Sequence, residues 1–344
     1  MSRFDATIVD EDVSPACQAA TFCVGGVSFE ISSCETNQDF AVPPGLRAFR
    51  AEGTIPDIAI DVEWLPVIEK LQESSVFDSG CTWNLYDRGS EYCFDFYVAA
   101  LGATPYKRLV VDKSFSRGHL RLNREAFDGG ARGLTALGYP LDELLIMHRL
   151  TQEKAIELHG TGIVRADGVG NLFVGHSGAG KSTTTRLWIE MEDVEVLSDD
   201  RIIVRRDADR LPQDDAAVEK AGILRLRDCS ATPTNLSAQD DKAKKKMRMY
   251  GTPWHGEAMY ASPNSAPLSR IFVLEHGHGN VITPLTPSQA VAELFARSFV
   301  PFHRHEYVDS ALTFLQELVD SVPVYRYSFE PDQRAVEKIG NFHD

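Results

Sequence analysis

The sequence predicts an α/β protein in which a phosphate-loop domain, residues 136–344, follows a β-rich N-terminal domain, residues 1–135. Three observations carry that expectation. Residues 175–182 match G-x-x-x-x-G-K-S between an apolar run and a run of helical periodicity. Residues before about 135 alternate apolar and polar with a period of two. Beyond about 136, strand-like and helix-like runs alternate, the pattern of an α/β layer.

Composition narrows the classes. A chain of 344 residues that is 43% hydrophobic can build two full cores. Its net charge of −15 argues against nucleic acid or an anionic membrane as partner, so an anionic ligand needs a local cationic focus. No apolar run approaches the ~20 residues that span a bilayer, and residues 1–7 lack a signal-peptide core, which together predict a cytoplasmic protein. The six cysteines, Cys17, Cys23, Cys34, Cys81, Cys93 and Cys229, show no C-x-x-C spacing and indicate neither a zinc site nor a disulfide framework.

Along the N-terminal domain, residues 21–31 read as a strand pair or a bulged strand with Val27, Phe29 and Ile31 on one face, and residues 58–64 alternate similarly. Residues 82–97 form the clearest hairpin, turning at Asp87, Arg88, Gly89 and Ser90. Strand patterns recur at 109–112 and 119–122. No catalytic signature stands here, so the domain reads as a docking or regulatory module. Gly129, Gly130 and Gly133 loosen the chain at the boundary.

Pro140 opens an amphipathic helix through Leu150. Residues 155–165 read as a strand with His159 at its end, beside the loop, and a tight turn at 167–170 leads into the apolar strand of Leu172, Phe173 and Val174. The loop then supplies a nucleotide-binding set: Gly175, His176, Ser177, Gly178, Ala179, Gly180, Lys181, Ser182 and Thr183. Its glycines let backbone N–H groups turn onto phosphate oxygens, and the helix N-terminus adds partial positive charge. Lys181 would neutralise β- and γ-phosphates and Ser182 would offer its hydroxyl to Mg²⁺. About twenty residues on, an apolar strand ends in Asp199 and Asp200, where a phosphate-loop protein places a metal-linked acid and a general base.

Residues 207–248 are polar and carry a lysine run, read as an insertion whose sharper interpretation is a lid. Residues 269–276 read as a core strand, His276 and His278 as loop histidines, and Thr286 with Pro287 as the N-cap and first turn of a helix. Arg297 and Arg304 are candidate stabilisers of phosphate charge.

His159-Gly160, the loop at 175–182 and Asp199-Asp200, in that order, resemble the catalytic domain of HPr serine kinase/phosphorylase, whose phosphate loop is shared with ATP-type phosphoenolpyruvate carboxykinases. The stretches 197–201 and 250–257 are similar to a divergent HPr-kinase-like branch that includes kinases of lasso-peptide precursors. The resemblance covers about residues 140–340. It implies a P-loop kinase fold of the HPr kinase/PEP carboxykinase type and a Mg²⁺- and ATP-dependent kinase acting on a serine or threonine hydroxyl of a protein, peptide or small molecule. Within it, Lys181 and Ser182 contact the phosphates and Mg²⁺, Asp199 or Asp200 takes the hydroxyl proton, with position favouring Asp199, and His159 assists. Asp200 and Glu257, or His255, join Ser182 as metal contacts. The Leu-Glu-Val-Arg-Gly-like stretch of true HPr kinases has no counterpart, so phosphorylase activity and HPr as substrate are not implied. A nucleotide-binding regulatory or scaffold protein without turnover is the alternative, and homo-oligomerisation stays open.

Overall fold

The computed structural model describes residues 18–35, 42–128, 134–191, 193–207 and 246–342, and shows a mixed α/β fold with two sheets. The loosened stretch at 129–133 and most of the polar insertion with its lid reading lie outside the described residues. The end of that insertion is a correction: Met247 and Arg248 belong to a core strand, where Met247 is buried and the Arg248 guanidinium is tied off by Asp207 at 2.9 Å.

The first sheet takes eight strands: β1 (Gln18–Val24), β2 (Val27–Ser33), β3 (Ile58–Leu65), β4 (Phe77–Asp78), β5 (Trp83–Asp87), β6 (Glu91–Phe96), β7 (Lys107–Asp112) and β8 (Arg117–Asn123). Their spatial order is β1-β2-β3-β8-β7-β6-β5-β4. Period-two burial follows the sequence pattern, with Val27, Phe29 and Ile31 inside, and the hairpin β5–β6 pairs Leu85 with Phe94. A short helix α1 (Arg124–Asp128) closes this part.

The second sheet is built on β9 (Ala155–Val164), with β10 (Gly170–Val174), β11 (Glu195–Ser198), β12 (Arg201–Arg206), β13 (Met247–Tyr250), β14 (Ser265–His276), β15 (Val281–Pro284), β16 (Ser298–Phe299) and β17 (Val324–Phe329). Its pairings close on themselves: β9 pairs β12, β12 pairs β13, β13 pairs β14, β14 pairs β10, and β10 pairs β9. Around it lie α2 (Leu141–Leu150), α3 (Lys181–Glu190), α4 (Pro287–Phe295), α5 (His305–Ser321) and α6 (Gln333–Gly340). Among the described residues no helix is long and apolar enough to cross a membrane.

One apolar cluster takes in both sheets, from Phe22 and Phe29 to Leu158 and Leu172. Helix α2 lies within it. That position corrects the amphipathic expectation, because Asp142, Glu143 and His148 are buried along with the leucines. Lys107, 1% exposed, donates to the Ala136 and Gly138 carbonyls at 3.3 Å and so ties β7 to the segment that leads into α2. Cys81 and Cys93 are free thiols, whereas Cys34 is disulfide-bonded, against the expectation that the cysteines form no disulfide framework.

Candidate active site

The strand, the loop and the helix stand in the predicted order. β10 runs into the loop, and α3 begins at Lys181 with Gly180 as its N-cap at φ 100°, a conformation that a Cβ would oppose. The Phe329 ring lies against that glycine, 2.5 Å from where a Cβ would stand. No side chain caps the helix, so the N–H groups of its first turn have no intrahelical partner. His176, Ser177, Gly178 and Ser182 are exposed, while Gly175 is buried and Ala179, Gly180 and Thr183 are half-buried. The Lys181 ammonium donates to the carbonyls of Gly175 at 2.9 Å and His176 at 3.2 Å, with 7% of the residue exposed. Burial pulls it below its usual pKa, with Asp200 opposing that fall. His276, read as a loop histidine, has a specific place: its Nε2 donates to the Gly178 carbonyl at 2.6 Å.

His159 is in the middle of β9, not at its end, because β9 continues along β10 and β11 through Val164. Glu157, His159 and Thr161 alternate onto one face. The chain returns antiparallel as β11 and β12, interrupted at Asp199 and Asp200. Past a one-residue shift between Val196 and Ser198, Arg201 pairs with His159, and the Gly160 N–H donates to the Asp200 carbonyl at 3.0 Å. Strict alternation would bring Asp199 to the His159 face. The bend at 199–200 breaks it and turns Asp200 there.

The two aspartates are consequently held differently. Asp200 Oδ1 is 3.0 Å from His159 Nε2, and its Oδ2 accepts from Arg201. Burial pushes this carboxyl up, but the His159 hydrogen bond and the charges of Arg201 and Lys181 outweigh it and keep the group below the ordinary carboxylate range. Asp199, 3% exposed, accepts backbone N–H bonds at 2.9 Å from Gly256 and from Ala258. It clamps the loop that carries Glu257, an exposed residue, and His255, whose Nδ1 donates to the Gly256 carbonyl at 3.0 Å.

Lys181 and Asp200 are within electrostatic reach of one another and of Arg201, and Arg297 bears on Lys181. Arg297 contributes its carbonyl to the His159 N–H at 2.7 Å, while its guanidinium pairs with Glu293 at 2.6 Å. Arg304 is elsewhere, against Tyr92 and Glu306. Among the described residues no three His, Cys, Asp or Glu side chains gather as a metal centre. The Ser182 hydroxyl and the ionised Asp200 are nevertheless hard oxygen donors of the kind that suits Mg²⁺ shared with phosphates.

Sequence reasoning gave Arg201, Glu143 and Glu157 no role. Arg201 Nε donates to Glu143 Oε1 at 2.7 Å and is 3.5 Å from Glu157 Oε1, and its guanidinium lies over the Phe299 ring at 4.1 Å. Glu157 is 1% exposed, and burial, then its neighbour Glu143, push its carboxyl well above the usual range. The one available signal was the alternation that places a Glu two residues before His159 on its face. The chain matches no protein-family model and no curated protein.

Proposed function

We propose that the chain is a Mg²⁺- and ATP-dependent kinase that transfers the γ-phosphate to a serine or threonine hydroxyl of a protein, peptide or small molecule, in the manner of the HPr-kinase-like branch. The observation that supports it most is the 3.0 Å His159–Asp200 contact beside the lysine of a phosphate-loop sequence. A protein that only binds nucleotide needs Lys181 and Ser182 but has no use for an ionised carboxylate held against a histidine.

In this reading the loop N–H groups and Lys181 hold the phosphate oxygens, the ammonium leaving the carbonyls of its own loop. Asp200 accepts the proton of the acceptor hydroxyl as that oxygen bonds to the γ-phosphorus and the bond to the departing ADP breaks. His159 holds the carboxylate toward the acceptor and donates to it before transfer. Mg²⁺, when bound through Ser182 and Asp200, would supply charge neutralisation at the phosphates. Asp199 acts on the site through the 256–258 backbone. The base is therefore Asp200 rather than the positionally favoured Asp199. Incubation with γ-labelled ATP and the proteins encoded beside this chain tests the reading: label on a serine or threonine supports it, and tight ATP binding without transfer would replace it with the binding-protein alternative.

A further inference from the structure

Two of the three guanidinium nitrogens of Arg201 are engaged within the protein. One nitrogen holds Asp200 Oδ2 and another holds Glu143 at 2.7 Å, while the flat of the guanidinium covers Phe299. Its backbone is fixed as well, since the carbonyl accepts from the buried Thr252 hydroxyl at 2.8 Å. Beneath it, Glu157 lies buried against Glu143, and Arg201 Nε at 3.5 Å is its neighbouring cation. A buried acid so placed is costly to keep, and it does not touch the loop or His159 through any hydrogen bond. Two acids, one from α2 and one from β9, thus converge on one guanidinium that grips one oxygen of Asp200, and His159 takes the other oxygen.

We propose that Arg201 is a positioning residue: it fixes the plane of the Asp200 carboxylate toward His159, and it is itself fixed by Glu143 of α2 and Glu157 of β9. The consequence for the molecule is that α2, far from the phosphate loop in sequence, forms part of the site. Lysine cannot replace Arg201 in this role, because a point charge does not provide the fork that spans Glu143 and Asp200. The competing role is a direct contact to phosphate through the guanidinium N–H groups that Glu143 and Asp200 do not take.

The proposal rests on the kinase reading for its effect on rate, so its test has one arm that does not depend on turnover. In proton NMR, a His159 Nε2–H bonded to Asp200 gives a downfield resonance, identified by its loss in His159→Gln. Arg201→Lys should shift that resonance upfield, and Glu143→Ala should do the same while leaving Arg201 in place. An unshifted resonance in either folded variant overturns the positioning role, whether or not the protein is a kinase. In the kinetic arm, Arg201→Lys should lower kcat by roughly tenfold to a hundredfold with KM for ATP within about twofold. A raised KM for ATP with kcat preserved would overturn it in favour of a phosphate contact. A wild-type protein that shows the resonance but transfers no phosphate would overturn the kinase reading alone. Thermal unfolding of each variant separates misfolding from misplacement, and if Arg201→Lys does not fold, Glu143→Ala decides.

Discussion

His159 Nε2 and Asp200 Oδ1 meet at 3.0 Å across two antiparallel strands, while Asp199, one residue away, has both oxygens on the backbone of a separate loop. Neighbours in sequence therefore have separate duties. One is half-buried and held between His159 and Arg201; the other is buried and holds the backbone of a loop.

Substitution should separate them. Asp200→Asn is expected to retain ATP binding and the fold but to lose roughly 10²–10⁴ in transfer rate. Asp199→Asn leaves one of two N–H donors facing an amide, and should lower stability by about 1–3 kcal/mol. Single-turnover transfer and thermal unfolding measure the two effects. Equal turnover in both variants and wild type would remove the dyad from the mechanism.

Lys181→Ala removes the ammonium and its charge-assisted contacts. ATP affinity measured by calorimetry should fall about tenfold or more, from a contact worth ~1.5–3 kcal/mol. Unchanged affinity would mean that the loop does not hold phosphate.

Gly180 and Gly178 both have positive φ, 100° and 81°, but differ in surroundings. A Cβ on Gly180 would stand 2.5 Å from Phe329, whereas nothing lies within 4 Å of one on Gly178. Gly178→Ala should therefore cost about 1 kcal/mol of backbone strain alone. Gly180→Ala should cost more and displace Phe329 from the loop. Chemical denaturation compares them, and equal losses would show that Phe329 does not shape the loop.

Acid should destabilise the fold through a different region. His148, stacked on Phe115 at 4.7 Å and 1% exposed, is pushed by burial to a pKa of about 3. His303, 5.3 Å from it, is pushed to about 4 by burial and by Lys113 and Arg304. Both folded values lie below the unfolded one, so the stability is fully present above about pH 6.5 and is lost as pH falls toward them. At pH 5 the neutral His148 alone accounts for roughly 2 kcal/mol of that loss. Urea melts of wild type and His148→Phe between pH 7 and 5 check the sign: the variant should be the less pH-dependent.

Local signals read through to the structure wherever short-range chemistry decides. The glycine-rich turn between β10 and α3 is one case. The Thr286 cap is another, since Thr286 accepts the Gln289 N–H and Gln289 returns the bond to the Thr286 N–H. What could not be read depends on contacts between distant segments. The choice between Asp199 and Asp200 turns on a bend and a one-residue shift that no periodicity announces. The burial of α2 on all but the side of Met147 and Arg149 follows from contacts with both sheets, while its own Asp142, Glu143 and His148 imitate a solvated face. Arg201 lies in the stretch 197–201, but its partners, Glu143 and Glu157, lie 58 and 44 residues earlier in the chain.

β9 is flanked along its length, by β11 and β12 on one edge and by β10, β16 and the Arg297 carbonyl on the other. An interior strand of this kind exchanges its amide hydrogens with solvent only when the whole unit opens. The slowest-exchanging amides of the molecule should therefore include Leu158 and His159, directly beside Asp200. Fraying at a strand end is then unavailable as a way to adjust the histidine, whose backbone stays a fixed anvil beneath Asp200.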